Sequence, residues 1–173
     1  LGSPFPILNW GMTNTFLFYG VDISVVFQGV AGVKVIDGDG YYNETKKYNR
    51  AYTTNRFISE EYPGDGKTPT YSAYGIGWEL TDYVVQDASY AAIKDLTIGY
   101  TFNKKQLRKI HLQSLHLYVT GQNLLYIWNK AYRGINPEAR STNGVYSSPL
   151  IAGYQRGGFP IQRTFSFGIE LNF

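Results

Sequence analysis

The sequence predicts an all-β fold, about the last five strands of an antiparallel transmembrane β-barrel, and three observations carry that expectation. The end of the chain alternates apolar and polar side chains with period 2. Tyr, Phe and Gly are abundant, at 16, 10 and 19 of 173 residues. Long and short connections alternate between the strands.

The final segment, near 160–173, is the clearest. Its odd positions from Phe159 are Phe159, Ile161, Arg163, Phe165, Phe167, Ile169, Leu171 and Phe173, all apolar but one. The even positions are Gln162, Thr164, Ser166, Gly168, Glu170 and Asn172. A helix, repeating about every 3.6 residues, cannot produce this pattern, whereas successive strand side chains point to opposite faces. A tilted strand of about 9–11 residues crosses a bilayer core, and this one is long enough. Arg163 falls near the outer end of the strand, where a long side chain reaches the interface.

Four earlier segments alternate in the same way. Near 8–18, Trp10, Met12, Phe16 and Phe18 oppose Gly11, Thr13 and Thr15. Near 21–29, Val21, Ile23, Val25 and Phe27 oppose Asp22, Ser24 and Gln28. Near 87–102, Tyr90, Ala92, Lys94, Leu96, Ile98, Tyr100 and Phe102 oppose Ser89, Ala91, Ile93, Asp95, Thr97, Gly99 and Thr101. Near 114–127, Leu115, Leu117, Val119 and Leu125 oppose His116, Tyr118, Thr120 and Gln122. The expected membrane-facing set is Leu96, Ile98, Tyr100, Leu115, Leu117, Val119, Phe165, Phe167, Ile169, Leu171 and Phe173. Strands that alternate average to a near-neutral hydropathy, so the slightly negative mean agrees with a barrel.

The connections differ several-fold in length. Tyr19-Gly20 is a tight turn, and 103–113 is a moderate basic one with Lys104, Lys105, Arg108 and Lys109. About fifty residues separate Gln28 from Val84, and about thirty separate Ile127 from Phe159. Outer-membrane barrels have short periplasmic turns and long external loops. With Phe173 at the periplasm, the long segments near 30–84 and 128–158 are both external and the short turns both periplasmic. A membrane sheet must close on itself, because lipid cannot satisfy open backbone edges. Five strands are too few, and a start at Leu1 without Met or signal peptide suggests a fragment whose remaining strands precede it.

Several chemistries are weakly supported. The absence of Cys removes disulfides and thiolate sites. A net charge of +3 gives no pointer to nucleic acid. His111 lies in a turn and His116 on a strand, five residues apart, and strand geometry would set them on opposite faces, which is poor for a metal. Asp37-Gly38-Asp39-Gly40 opens like a calcium loop but has no later bidentate Glu at the right offset. Glu60-Glu61 has nothing to hold it as a glycosidase pair. Gly75-Ile76-Gly77 lacks the third glycine of a dinucleotide fingerprint. The expectation is therefore no enzyme, no cofactor, no catalytic residue and no metal site. Loop aromatics are the candidate contacts: Tyr41, Tyr42, Tyr71, Tyr74 and Trp78 in the first long segment, and Tyr132, Tyr146 and Tyr154 in the second. Such rings stack on sugar faces or meet a protein partner, or else pack the loops together.

Four stretches carry a family resemblance. They are Gly20-Val-Asp22-Ile-Ser-Val-Val-Phe27-Gln28-Gly29, the run from Asp87 through Ser89-Tyr90 to Gly99-Tyr100, Leu117-Tyr-Val-Thr-Gly121-Gln122-Asn123-Leu124, and Gly158 to Phe173 with Arg163-Thr164-Phe165 at its centre. In this order they resemble the SusC/RagA-like TonB-dependent outer-membrane transporters of Bacteroidetes. Ala91-Ala92 departs from the resemblance, which more often has a bulky residue followed by Arg. The resemblance implies a barrel of about 22 strands. It also implies import of a glycan or peptide across the outer membrane, a SusD-like lipoprotein lid, and energy from TonB through a plug domain outside this chain. A soluble all-β carbohydrate-binding module and a passive porin or adhesin barrel are the alternatives.

Overall fold

A computed structural model describes residues 1–38, 55, 57–67, 82–108, 112–139, 152–155 and 158–173. The strands are β1 (Leu8–Phe18), β2 (Val21–Ala31), β3 (Lys34–Asp37), β4 (Val85–Asp87), β5 (Tyr90–Phe102), β6 (Ser114–Trp128), β7 (Tyr154–Gln155) and β8 (Thr164–Asn172). One turn of 3-10 helix, Asp82–Val84, leads into β4. Five strands form one sheet in the order β1-β2-β5-β6-β8, and three short ones form another in the order β4-β3-β7. The chain divides into two compact units. One holds Asn9–Val30, Tyr90–Ile127 and Ile161–Phe173; the other holds Leu1–Leu8, Ala31–Ser89 and Trp128–Pro160.

In the first unit, β2 runs antiparallel to β5 and β6 antiparallel to β8. Tyr19 and Gly20 both have positive φ, 49° and 87°, the geometry of a two-residue type I′ hairpin turn. Gly20 is required there, because a Cβ would lie 2.9 Å from the Thr101 carbonyl.

The register sorts the faces. Leu115 opposes Leu171, Leu117 opposes Ile169 and Val119 opposes Phe167. Val21, Ile23 and Val25 oppose Tyr100, Ile98 and Leu96. Opposed residues of an antiparallel pair share a face, so both rows are apolar on one side. His116 opposes Glu170 and Thr120 opposes Ser166 on the other.

Two details depart from simple alternation. Val26 pairs with Asp95 but Phe27 pairs with Ile93, so Lys94 is the extra residue of a β-bulge. The bulge reverses the faces before it. Ile93 therefore joins the apolar side, and Tyr90 and Ala92 join the polar side, the reverse of the expected assignment for 90–94. Asn123, at φ 55°, is a second irregularity, in β6. Cross-strand pairing stops at Gln122 with Thr164, and the Asn123 amide instead donates to the Gln162 carbonyl at 3.0 Å. This is why β8 starts at Thr164 and not near 160, where Pro160 also has no N–H to give.

The expected strand near 87–102 is two strands. Val85–Asp87 pairs with β3 and Tyr90–Phe102 with β2. The break falls at Ala88-Ser89, where the Ser89 hydroxyl accepts the Gly32 N–H and the Ala88 N–H goes to the Val33 carbonyl. In this second unit Val33, Val35, Val84, Ala88 and Pro137 make a small buried core. β3 lies antiparallel to β4 and parallel to β7.

Candidate functional site

Polar side chains gather in two places, one in each unit. On the polar face of the sheet, β6 carries His116, whose Nε2 lies 3.0 Å from Asp22 Oδ1 on β2. Its Nδ1 lies 3.7 Å from Glu170 Oε2 on β8. Between β2 and β6 runs β5, and Gly99 of β5 has no side chain to obstruct the contact. A Cβ there would sit 2.3 Å from His116 Nε2 and 2.5 Å from Asp22 Oδ2. The two ring nitrogens face different carboxylates, so this is a chain of contacts and not a shared metal cavity. Among the described residues no three His, Asp or Glu side chains gather as metal ligands would.

The same face carries further bonds. The Thr97 and Thr120 hydroxyls are 2.9 Å apart. Tyr118 stacks on His116 with centroids 5.3 Å apart, and its ring covers Gly168 on β8, where a Cβ would lie 2.0 Å from Cζ. Further along, the Gln28 amide donates to the Tyr90 hydroxyl at 3.2 Å. Lys94, freed from the ladder by its bulge, donates to the Tyr126 hydroxyl at 2.7 Å, and that hydroxyl donates to Asn123 Oδ1. The bulge thus explains how a lysine is accommodated in this strand.

The second place is the loop unit. Asp37 ends β3 and is 3% exposed. It accepts from Gln86 Nε2 at 2.5 Å, and Arg133 Nε stands 3.9 Å away. The Arg133 guanidinium also donates to the Tyr83 carbonyl and lies 4.0 Å above the Tyr83 ring. The backbone N–H of Arg133 goes to Gln86 Oε1 at 2.7 Å. Buried Gln155 accepts from the Tyr132 hydroxyl at 2.8 Å and donates to the Asn136 carbonyl. Four chain segments are thereby tied by buried polar groups that satisfy one another, as burial requires. Asp87 lies at the edge of this unit. Burial pushes its carboxyl up, but bonds from Ser89 and from the Lys34 ammonium, 3.0 Å away, outweigh that and hold it below its ordinary value of 3.8.

The apolar row singled out in the sequence stands on one face. Phe165, Phe167, Ile169, Leu171, Phe173, Leu117, Val119 and Ile98 are exposed, Phe167 at 82%. Leu96, Tyr100 and Leu115 are half-buried. Of the loop aromatics, Tyr41, Tyr42, Tyr71, Tyr74, Trp78 and Tyr146 lie outside the described residues, as do His111 and Asp39. Tyr132 is 6% exposed, bonded to Gln155 and edge-on to Trp128, so within this unit it packs the loop. Tyr154 is half-buried on β7, against Gly38. The Asp22–His116–Glu170 chain and the Asp37–Gln86–Arg133 cluster were not singled out from sequence. Each joins residues from strands or loops far apart in the chain, which no local spacing reveals.

No family model matches the chain. It is 31% identical over 182 residues to TonB-dependent receptor P3 of Formosa agariphila, covering 100% of this chain and 17% of that protein. It is 28% identical to TonB-dependent receptor P26 of the same organism, covering 100% and 18%. With TonB-dependent receptor SusC of Bacteroides thetaiotaomicron it shares 25% identity over 135 residues, 77% of this chain and 12% of that one. The chain thus spans less than a fifth of these relatives. Its fold is that of a stretch of the RagAB peptide importer. The TM-score is 0.68 against the open-open state, at 18% identity, covering 98% of this chain and 17% of that one. Against the closed-closed state it is 0.71, at 19% identity, covering 99% and 18%.

Proposed function

We propose, for a chain that belongs to the SusC/RagA-like TonB-dependent transporters, that it forms part of the wall of an outer-membrane β-barrel importing a large nutrient. The observation that carries this reading is the polarity of the sheet. One face presents Phe165, Phe167, Ile169 and Leu171 to the outside, and the other cross-links its polar groups. A water-soluble sandwich buries its apolar face against a second layer. Hydrocarbon is the solvent this face suits, and within the sheet the backbone is bonded strand to strand, its edges β1 and β8 needing further strands of the barrel to pair with.

In this reading the apolar rows of β5, β6 and β8 face lipid and the polar face lines the lumen of a barrel of about 22 strands. The long segments near 30–84 and 128–158 are extracellular loops. The loop aromatics, the buried Tyr132 aside, meet the substrate or a SusD-like lipoprotein lid. TonB acts through a plug domain elsewhere in the protein, and the cargo is a glycan or a peptide. The RagAB neighbours are described as peptide importers, which keeps the peptide option open.

The test is single-cysteine labelling of the full-length protein in outer membranes, in a background without other cysteines. Cysteine at Phe167 or Ile169 should react with a lipid-soluble thiol reagent and resist a water-soluble maleimide. Cysteine at Ser166 or Thr120 should show the opposite preference. Equal labelling of all four by the water-soluble reagent rejects the membrane reading.

A further inference from the structure

We propose that the basic turn between β5 and β6 docks on the phosphate groups of anionic phospholipid, in the leaflet at the short-turn end of the barrel. This rests on the membrane reading above. Register places the turn at one end of the sheet. Val21 opposes Tyr100, and the Thr101 N–H goes to the Gly20 carbonyl, so the Tyr19-Gly20 turn lies beside the end of β5. Ser114 opposes Asn172, and the Gln113 N–H goes to the Asn172 carbonyl, so Phe173 lies beside the start of β6.

The turn is a built platform. Asn103 Oδ1 accepts the N–H groups of Lys105 and Gln106 at 3.1 and 3.3 Å. Gln106 Oε1 accepts the Asn103 N–H at 2.8 Å. The Asn103 carbonyl takes the N–H groups of Gln106 and Leu107, and Leu107 is 6% exposed. On the backbone so fixed, Lys104, Lys105 and Arg108 are exposed. None of the three joins an ion pair among the described residues. Ammonium and guanidinium groups presented without carboxylates suit phosphate oxygens.

The position of these cations assigns the partner. The apolar row of β5 ends at Tyr100, whose hydroxyl accepts from the Gln106 amide at 3.2 Å. Tyr100 also packs edge-on to Phe102, with centroids 4.6 Å apart. At the same end Tyr19 is 98% exposed and Phe173 82%. Rings with one apolar and one wet end sit where hydrocarbon meets the headgroups. Cations just beyond them stand at the depth of the phosphates, and each basic group near an anionic membrane surface strengthens the contact roughly five-fold. Continuity with the lipid-facing row favours lipid over an acidic protein as the source of the anions.

The test uses the full-length, otherwise cysteine-free protein in phosphatidylcholine vesicles, with a fluorophore on Gln113→Cys, an exposed position in the turn. A minor share of the lipid is phosphatidylglycerol or phosphatidylcholine, each carrying the same nitroxide quencher. The anionic lipid should reach half-quenching at a mole fraction at least about five-fold lower. The triple variant Lys104→Gln, Lys105→Gln, Arg108→Gln should be quenched equally by both lipids. Salt at about 1 M, where the screening length is about 3 Å, should erase most of the preference without any substitution. If the triple variant does not assemble, the salt arm and Arg108→Gln alone, which should lower the preference, decide the matter. Equal quenching without substitution or added salt overturns the proposal, as does a preference that survives the substitutions or the salt. A fluorophore on Phe167→Cys separates two failures. If it is quenched by labelled phosphatidylcholine while Gln113→Cys shows no preference, the membrane reading stands and the headgroup contact falls. If neither lipid quenches it, both fall.

Discussion

In the sheet unit Phe167 and Ile169 stand exposed while Thr97 and Thr120 bond to each other. In the loop unit Val33 and Val35 are buried, and Asp37, Gln86 and Gln155 are buried with them. The two units place polarity in opposite senses. The loop unit follows the rule for a body in water: among its described residues there is a small apolar core, and the buried polar side chains Asp37, Gln86 and Gln155 are paired. The sheet unit keeps its apolar residues outside and assembles its polar ones on the facing side. In the proposed membrane setting one chain satisfies two solvents, and a substitution tolerated by one unit should damage the other.

The largest expected effect comes from placing a charge on the apolar face. Phe167→Arg should destabilise the membrane-inserted protein by about 2–4 kcal/mol if the site is near the bilayer midplane. The neighbouring Ser166→Arg should do far less. Chemical denaturation in lipid vesicles measures both. Equal costs at 166 and 167 would erase the contrast between the faces.

Asp37→Ala tests the other unit. It removes the acceptor of Gln86 and a carboxylate 3.9 Å from Arg133, at about 2 kcal/mol for a lost bond to a charged group. Limited proteolysis should show faster cleavage within 31–89 and 128–160, while the heat-resistant mobility of the barrel on electrophoresis is kept. Loss of both together would mean that the units do not fold as separate bodies.

Gly20→Ala sharpens the account of the hairpin. A Cβ at φ 87° costs about 1–2 kcal/mol for the left-handed conformation. It also meets the Thr101 carbonyl at 2.9 Å. The thermal midpoint should fall, and Tyr19→Asn at the adjoining positive-φ position should raise it.

The smallest effect is at Asp87. Its carboxyl is held below 3.8 in the folded chain, so the stability it adds is fully present above that pH. That stability is lost as the pH falls through the lower folded value. Lys34→Met should reduce the acid sensitivity of proteolysis in the loop unit. The change should be below about 1 kcal/mol, as for a partly exposed ion pair.

Much of the sheet was legible because its signal is local. Phe165, Phe167, Ile169 and Leu171 alternate with polar residues, and an intact strand turns that alternation into two faces. The reading failed where the strand itself is interrupted. From 90 to 94 the residues alternate as well, but the bulge at Lys94 reverses their faces, and its cause is pairing with β2, about sixty residues away. Asp22 and His116 were both visible on polar positions, yet their contact depends on Gly99 lying between them, a fact about strand order. In the loop unit even the elements were hidden. β7 has two residues, and its parallel pairing with β3 joins positions more than a hundred residues apart.

The sequence by itself determined the five strands of the larger sheet, their apolar faces outside 90–94 and the alternation of short turns with long connections, because side-chain direction in an uninterrupted strand follows from covalent geometry alone. Only the tertiary structure decided register, bulges and the two polar clusters. Those depend on which backbone meets which across long separations, and on where a missing side chain leaves room for a reach across a neighbouring strand.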